Sequence, residues 1–111
     1  NIVQLLLQHK ANVDAADKFG NTALIFAAMR DSTDVAKILI KAGANVNAAG
    51  YNGVTALIAS AANGNKDIVR VLLQHGADVH AADKFGGTAL NSAQTNGHQD
   101  IVNILIKAGA K

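Results

Sequence analysis

Apolar residues in this chain fall in short bursts, each with the spacing of one helix face. Val35, Ala36, Ile38, Leu39 and Ile40 form one side of such a segment. Thr33, Lys37 and Lys41 stack at four-residue intervals on the other. Ile68, Val69, Val71, Leu72 and Leu73 repeat the arrangement against Lys66, Arg70 and Gln74, and residues Ile101 to Lys107 supply a third apolar face. The opening residues Asn1 to His9 read the same way, with Ile2, Val3 and Leu5 to Leu7 apolar and Gln4 and Gln8 on one polar side.

A shorter, alanine-rich helix is expected before each of the later amphipathic segments. The first runs from about Ala23 to Arg30 with Leu24, Ala27 and Ala28 inward; in the second copy Leu57, Ser60 and Ala61 face inward. The third copy is more polar, with Asn91, Ser92, Gln94 and Thr95 in place of Ile58, Ala59, Ala61 and Ala62, as the wettable end of a stacked array requires.

The start of these helices shows the register. Asn21-Thr22-Ala23-Leu24 returns as Val54-Thr55-Ala56-Leu57 and as Gly87-Thr88-Ala89-Leu90, 33 residues apart both times without insertion or deletion. A fixed period of that length is the mark of a solenoid. Thr22 and Thr55 are placed to cap the helices that follow them. Asp31, Gly64 and Gly97 share a position suited to a left-handed residue at the helix end, which aspartate tolerates less well than glycine. Asp34, Asp67 and Asp100 recur in the first turn of the longer helices, where the helix dipole favours negative charge. Gly43 and Gly76 close those helices, whereas Lys10 holds the equivalent position near the start, at a cost of about 1–2 kcal/mol if left-handed.

The chain therefore divides into half a unit at 1–16, full units at 17–49 and 50–82, and a last unit at 83–111, within a single domain. Similarity also recurs at double the period: 15–20 returns unchanged as 81–86, and 38–44 as 104–110.

Composition narrows the possible chemistry. There is no cysteine, hence no disulfide framework and no thiolate metal site. No apolar run approaches the ~20 residues that span a bilayer, and the first residues lack the pattern of a signal peptide, so an intracellular, cytoplasmic protein is expected. Ten Lys and Arg stand against eight acidic residues, but the signs are interspersed, which argues against a nucleic-acid surface. Lys37, Lys41, Lys66, Arg70 and Lys107 read as a solvated face.

These residues resemble the ankyrin repeat, whose pattern is roughly D-x-x-G-x-T-P-L-H-x-A-A-x-x-G-H followed by x-x-I-V-x-x-L-L-x-x-G-A-x-V-N-A. The resemblance covers the whole chain, with three departures. Ala23, Ala56 and Ala89 replace the family proline, Ile25, Ile58 and Asn91 replace the family histidine, and Lys10 replaces a glycine. What it implies is an all-α solenoid of stacked helix-turn-helix pairs with projecting β-hairpin or turn loops. It implies binding of a protein partner through the hairpin tips and the concave face of the first helices, without catalysis, cofactor or metal. A structural segment of a longer array, or a designed scaffold with no ligand of its own, is the alternative.

The variable surface of that family falls here on Lys18, Phe19, Asn21, Met29 and Arg30; on Tyr51, Asn52, Val54, Ala62 and Asn63; and on Lys84, Phe85, Gly87, Thr95 and Asn96. Phe19, Tyr51 and Phe85 are three of the four aromatics, the type that protein hot spots use. They could equally pack on adjacent turns and stiffen the hairpin row. The resemblance further places Asn47 where an intracellular asparaginyl hydroxylase acts in ankyrin domains, with Leu39 eight residues earlier; a structural role for that side chain is the other reading. His9, His75, His80 and His98 have no metal-ligand spacing, Ser60 reads as a core substitute for alanine, and no nucleophile–base constellation is found. The apolar face of Asn1 to His9 has no preceding helix, which implies further repeats upstream or end-to-end self-stacking.

Overall fold

Threonine hydroxyls set the register of the structure. In the computed structural model, which describes residues 16–110, the Oγ1 atoms of Thr22, Thr55 and Thr88 accept bonds from the backbone N–H of Ile25, Ile58 and Asn91 at 3.4, 3.2 and 3.2 Å. Each satisfies a helix N–H that has no partner within the helix. At Thr88 the bond is reciprocated: Asn91 Oδ1 accepts from the Thr88 N–H at 3.2 Å. This is how the third copy uses the position that holds buried isoleucine in the first two.

Six helices follow among the described residues: α1 (Ala23–Met29), α2 (Thr33–Lys41), α3 (Ala56–Asn63), α4 (Lys66–Gln74), α5 (Ala89–Thr95) and α6 (Gln99–Lys107). The Asn1–His9 segment and Lys10 lie outside the described residues. Helices α1, α3 and α5 form one row, α2, α4 and α6 a second, and each helix also packs on its partner in the same unit. The rows differ in what they bury. The first is filled by Leu24, Leu57 and Leu90 among Ala27, Ala28, Ala59, Ser60, Ala61 and Ala93; the second is filled by Leu39, Ile68, Val69, Leu72, Ile101 and Leu105.

Small side chains let backbones approach, and the first row is the more closely packed. Ile25 and Ile58 are buried there at 1% and 4% exposure, so losing the histidine bonds is offset by apolar burial. Ser60 is also buried, its hydroxyl donating to the Leu57 carbonyl at 3.1 Å, so no orphan polar group results.

Helix ends follow the expected chemistry. Asp31 has a φ of 63°, matching the left-handed Gly64 and Gly97, and its carboxylate accepts from the Asn65 amide of the next unit. The same Asn65 caps α4 by accepting from the Ile68 N–H at 3.0 Å. One residue thus starts its own helix and grips the turn before it.

The projecting loops are less sheet-like than hairpins imply. No strand forms among the described residues; each loop is closed by a single antiparallel bridge, Ala16 with Thr22, Ala49 with Thr55 and Ala82 with Thr88. One bridged residue pair per loop is too few to build a ladder.

Candidate binding surface

The tips of the loops are built in two ways. In the first and third, Asp17 and Asp83 turn a carboxylate back onto their own loops. Asp17 Oδ1 accepts from Phe19 and Asn21 N–H at 2.8 and 3.0 Å, and Asp83 Oδ1 accepts from Phe85 and Gly87 N–H at 2.9 and 2.8 Å. The middle loop has Gly50 in that position and no carboxylate to offer. The Tyr51 N–H donates instead to Asn21 Oδ1 of the preceding loop at 2.9 Å. A Cβ at Gly50 would lie 2.2 Å from that oxygen, so only glycine leaves room for the clamp.

The middle tip turns through Asn52 and Gly53, both at positive φ. Tyr51–Gly53 form a short 3-10 turn with Asn52 in the left-handed region, which marks Asn52 as a turn former rather than a free contact residue. The Asn52 carbonyl then accepts the Lys84 N–H at 2.7 Å, joining the second tip to the third.

On this frame the aromatics remain out in solvent. Phe19, Tyr51 and Phe85 are 53%, 57% and 77% exposed. Phe19 and Tyr51 meet edge to face with ring centroids 5.5 Å apart, and Lys18 Nζ lies 5.1 Å from the centre of the Phe19 ring. At the first two tips the rings pack on each other and still present open faces. Phe85 makes no ring contact among the described residues.

Below Tyr51 an open groove of about 360 Å³ runs between the first and second units. Ile25, Val54, Ala59 and Ala62 form its apolar floor, Met29 and Tyr51 its sides, and Asn21 and Asn63 its polar ends. Val54 is partly buried against the core. Asn63 holds the end of α1 through Nδ2, which donates to the Ala28 and Met29 carbonyls at 3.3 and 2.8 Å. Arg30 follows Met29 and is exposed.

The structure thus brings together Lys18, Phe19, Asn21, Met29, Tyr51, Val54 and Asn63 along one edge. Lys84 and Phe85 form the next tip, while Thr95 and Asn96 lie at the exposed end of α5, where Asn96 Nδ2 donates to the Ser92 carbonyl at 2.8 Å. Gly87 lies half-buried in the third loop.

Asn47 is engaged across units rather than within its own loop. Its Nδ2 donates to the Gly76 carbonyl at 3.2 Å and its Oδ1 accepts from the Asp78 N–H at 2.7 Å. His98 bridges in the same sense: Nε2 donates to the Ala62 carbonyl at 3.2 Å. No group of three His or Asp side chains capable of holding a metal occurs among the described residues.

These cross-unit bonds recur at about one 33-residue period and tie short helix pairs into a continuous stack. A family model described as ankyrin repeats in three copies matches residues 1–50 and 43–111. The chain belongs to the ankyrin repeat family. Curated protein sequences contain no match to it. Ankyrin repeats are in general protein–protein interaction modules, typically without catalytic activity. Among the described residues of this ankyrin-repeat chain, no helix is long and apolar enough to cross a membrane.

Asn63 offers a direct check on how these repeats are joined. Asn63→Asp replaces the amide that serves two carbonyls at the end of α1 with a carboxylate that repels them. A loss of about 1–3 kcal/mol is expected, read as a lower midpoint of urea unfolding. An unchanged midpoint would mean that the Asn63 bonds do not hold α1.

Proposed function

We propose that this chain is a non-enzymatic protein-binding module, engaging a protein partner through its loop tips and the inner face of its short helices. The observation that carries the reading is the groove under Tyr51. Its apolar floor is flanked by Met29 at 47% and Tyr51 at 57% exposure, large side chains that packing leaves uncovered. Apolar floors with a few fixed polar groups suit ligand recognition.

The test is a comparison of captured partners between the wild-type chain and a Tyr51→Ala, Arg30→Ala variant. Both side chains are exposed, so folding is expected to be retained; circular dichroism checks this. Partners captured by the wild type are expected to be lost or weakened at least about tenfold, the size of a hot-spot residue. An unchanged set of partners at unchanged affinity would shift the reading to a structural segment of a longer ankyrin array or a scaffold without its own ligand.

A further inference from the structure

Three Asn-Gly pairs occur in the chain: Asn52-Gly53, Asn63-Gly64 and Asn96-Gly97. Glycine has no side chain to shield its own backbone nitrogen or to restrict its rotation, so that nitrogen can reach the Cγ of the asparagine before it. The reaction this permits is intramolecular. Hydroxide takes the proton of the glycine N–H, the nitrogen attacks Cγ, and Nδ2 leaves as ammonia to close a cyclic imide. Water then opens the ring at either carbonyl. One opening gives aspartate; the other gives isoaspartate, whose main chain runs through the former side chain. Overall one water is consumed and one ammonia released, with no change of oxidation state.

The structure separates the three pairs. Asn63 Nδ2 donates to two carbonyls at the end of α1, and the His98 ring lies 2.7 Å from where a Cβ on Gly64 would stand. Asn96 ends α5 with Nδ2 donating to the Ser92 carbonyl at 2.8 Å, while Gly97 and His98 donate to the Gln94 and Ala93 carbonyls at 3.2 and 2.9 Å. Bringing either Cγ onto the next nitrogen breaks side-chain bonds and unwinds a helix end. The Asn52 side chain has no hydrogen bond among the described residues. Its rotation releases two backbone bonds, from Gly53 N–H to the Gly50 carbonyl at 2.9 Å and from Lys84 N–H to the Asn52 carbonyl at 2.7 Å. Both lie between loops, which open at lower free energy than packed helix ends.

The two products fit this tip differently. Aspartate keeps the main chain unchanged, and Asp31 at φ 63° shows that an aspartate is housed in the left-handed region that Asn52 occupies at φ 57°. Isoaspartate adds a main-chain carbon next to Gly53. There is no slack for it, since a Cβ on Gly53 would already lie 3.2 Å from Lys84 N and 3.3 Å from Asp83 Cα.

We propose that Asn52-Gly53 is a self-modification site. It converts to aspartate and isoaspartate ahead of Asn63 and Asn96, and only the isoaspartyl form parts the middle loop tip from the third. Tyr51 immediately precedes the site, so the change reaches the exposed edge while the helical core stays packed.

The test holds the folded chain at mildly alkaline pH in water enriched in heavy oxygen and follows its peptides by mass spectrometry. The Asn52 peptide is expected to take up label first, at a rate rising with hydroxide. It should do so at least about tenfold faster than the Asn63 peptide, the factor that one or two additional hydrogen bonds give an opening equilibrium. Label appearing first at Asn63 or Asn96, or at none of the three, would overturn the site. Asn52→Gly keeps a residue suited to the left-handed turn and removes the amide; label persisting in its tip peptide would place the reaction elsewhere.

Hydrogen exchange at the Lys84 amide separates the products. Exchange should be at least about tenfold faster in the isolated isoaspartyl form, as expected for the loss of a short backbone bond, and unchanged in Asn52→Asp, which carries the other product from the start. Equal protection of Lys84 in the two forms would overturn the parting of the tips.

Discussion

Leu72→Ala is expected to destabilise the chain by about 3–5 kcal/mol. Leu72 lies fully buried in α4 of the central repeat, a helix that packs on α2, α3 and α6. The removed atoms lose their transfer free energy, and a cavity remains because flanking helices are held by their own cross-repeat bonds. Small domains have only about 5–15 kcal/mol of net stability, so this single change removes a large share of it. In a stacked array each repeat is stable through its neighbours, and damage to the central one uncouples the outer two. Urea unfolding followed by circular dichroism should show a much lower midpoint, or two separated transitions. A shift worth less than about 1 kcal/mol would contradict the packing described for α4.

The second large effect comes from a change that the family pattern would recommend. Gly50 stands where Asp17 and Asp83 stand in the neighbouring loops, and where the ankyrin pattern has aspartate. Gly50→Asp is nevertheless expected to cost about 2–4 kcal/mol. The new Cβ would fall 2.2 Å from Asn21 Oδ1 and 3.0 Å from Ile25 Cδ1, so the clamp on Tyr51 must break and a core residue must shift. Changing Asn21 to glycine in the same chain removes the obstruction and lets the new carboxylate serve the Tyr51 loop. The double variant should therefore recover more than about 1 kcal/mol relative to the sum of the single changes. Strict additivity in the double-mutant cycle would show that Asn21 is not the reason for glycine at this position.

That pair also shows why part of the binding surface was hidden in the sequence. Asn21 and Asn63 fall on the variable surface that the family resemblance implies, which places both among the contact residues. In the structure each spends half of its amide on the frame, and only the other half faces the groove. Asn52 belongs mainly to the turn, and its Asn-Gly pair was the signal that could have shown it. The capping bond between Thr88 and Asn91 was equally local, legible as a threonine followed three residues later by a side-chain acceptor. By contrast, Asn47 to Asp78 and His98 to Ala62 join residues 31 and 36 positions apart. Nothing in the local pattern of either partner announces such a bond.

Local spacing was enough for the rest. The period of 33, the threonine starts, the left-handed Asp31 and the amphipathic second helices all depend on interactions within a turn or two of chain, and the structure places each as expected. Exposed aromatics at the tips were likewise legible, since no core position in the repeat claims Phe19, Tyr51 or Phe85.

The sequence by itself determined a repeating helix-pair unit, its register and its family, because helix period, capping and turn chemistry are encoded within each 33-residue unit. Only the tertiary structure decided which surface residues are free. That depends on how one unit sits on the next: the Asn21 amide reaches Tyr51, closes the space beside Gly50 and leaves one donor facing an apolar groove. Packing between repeats, not the pattern within one, gives the regular stack its groove beside Tyr51.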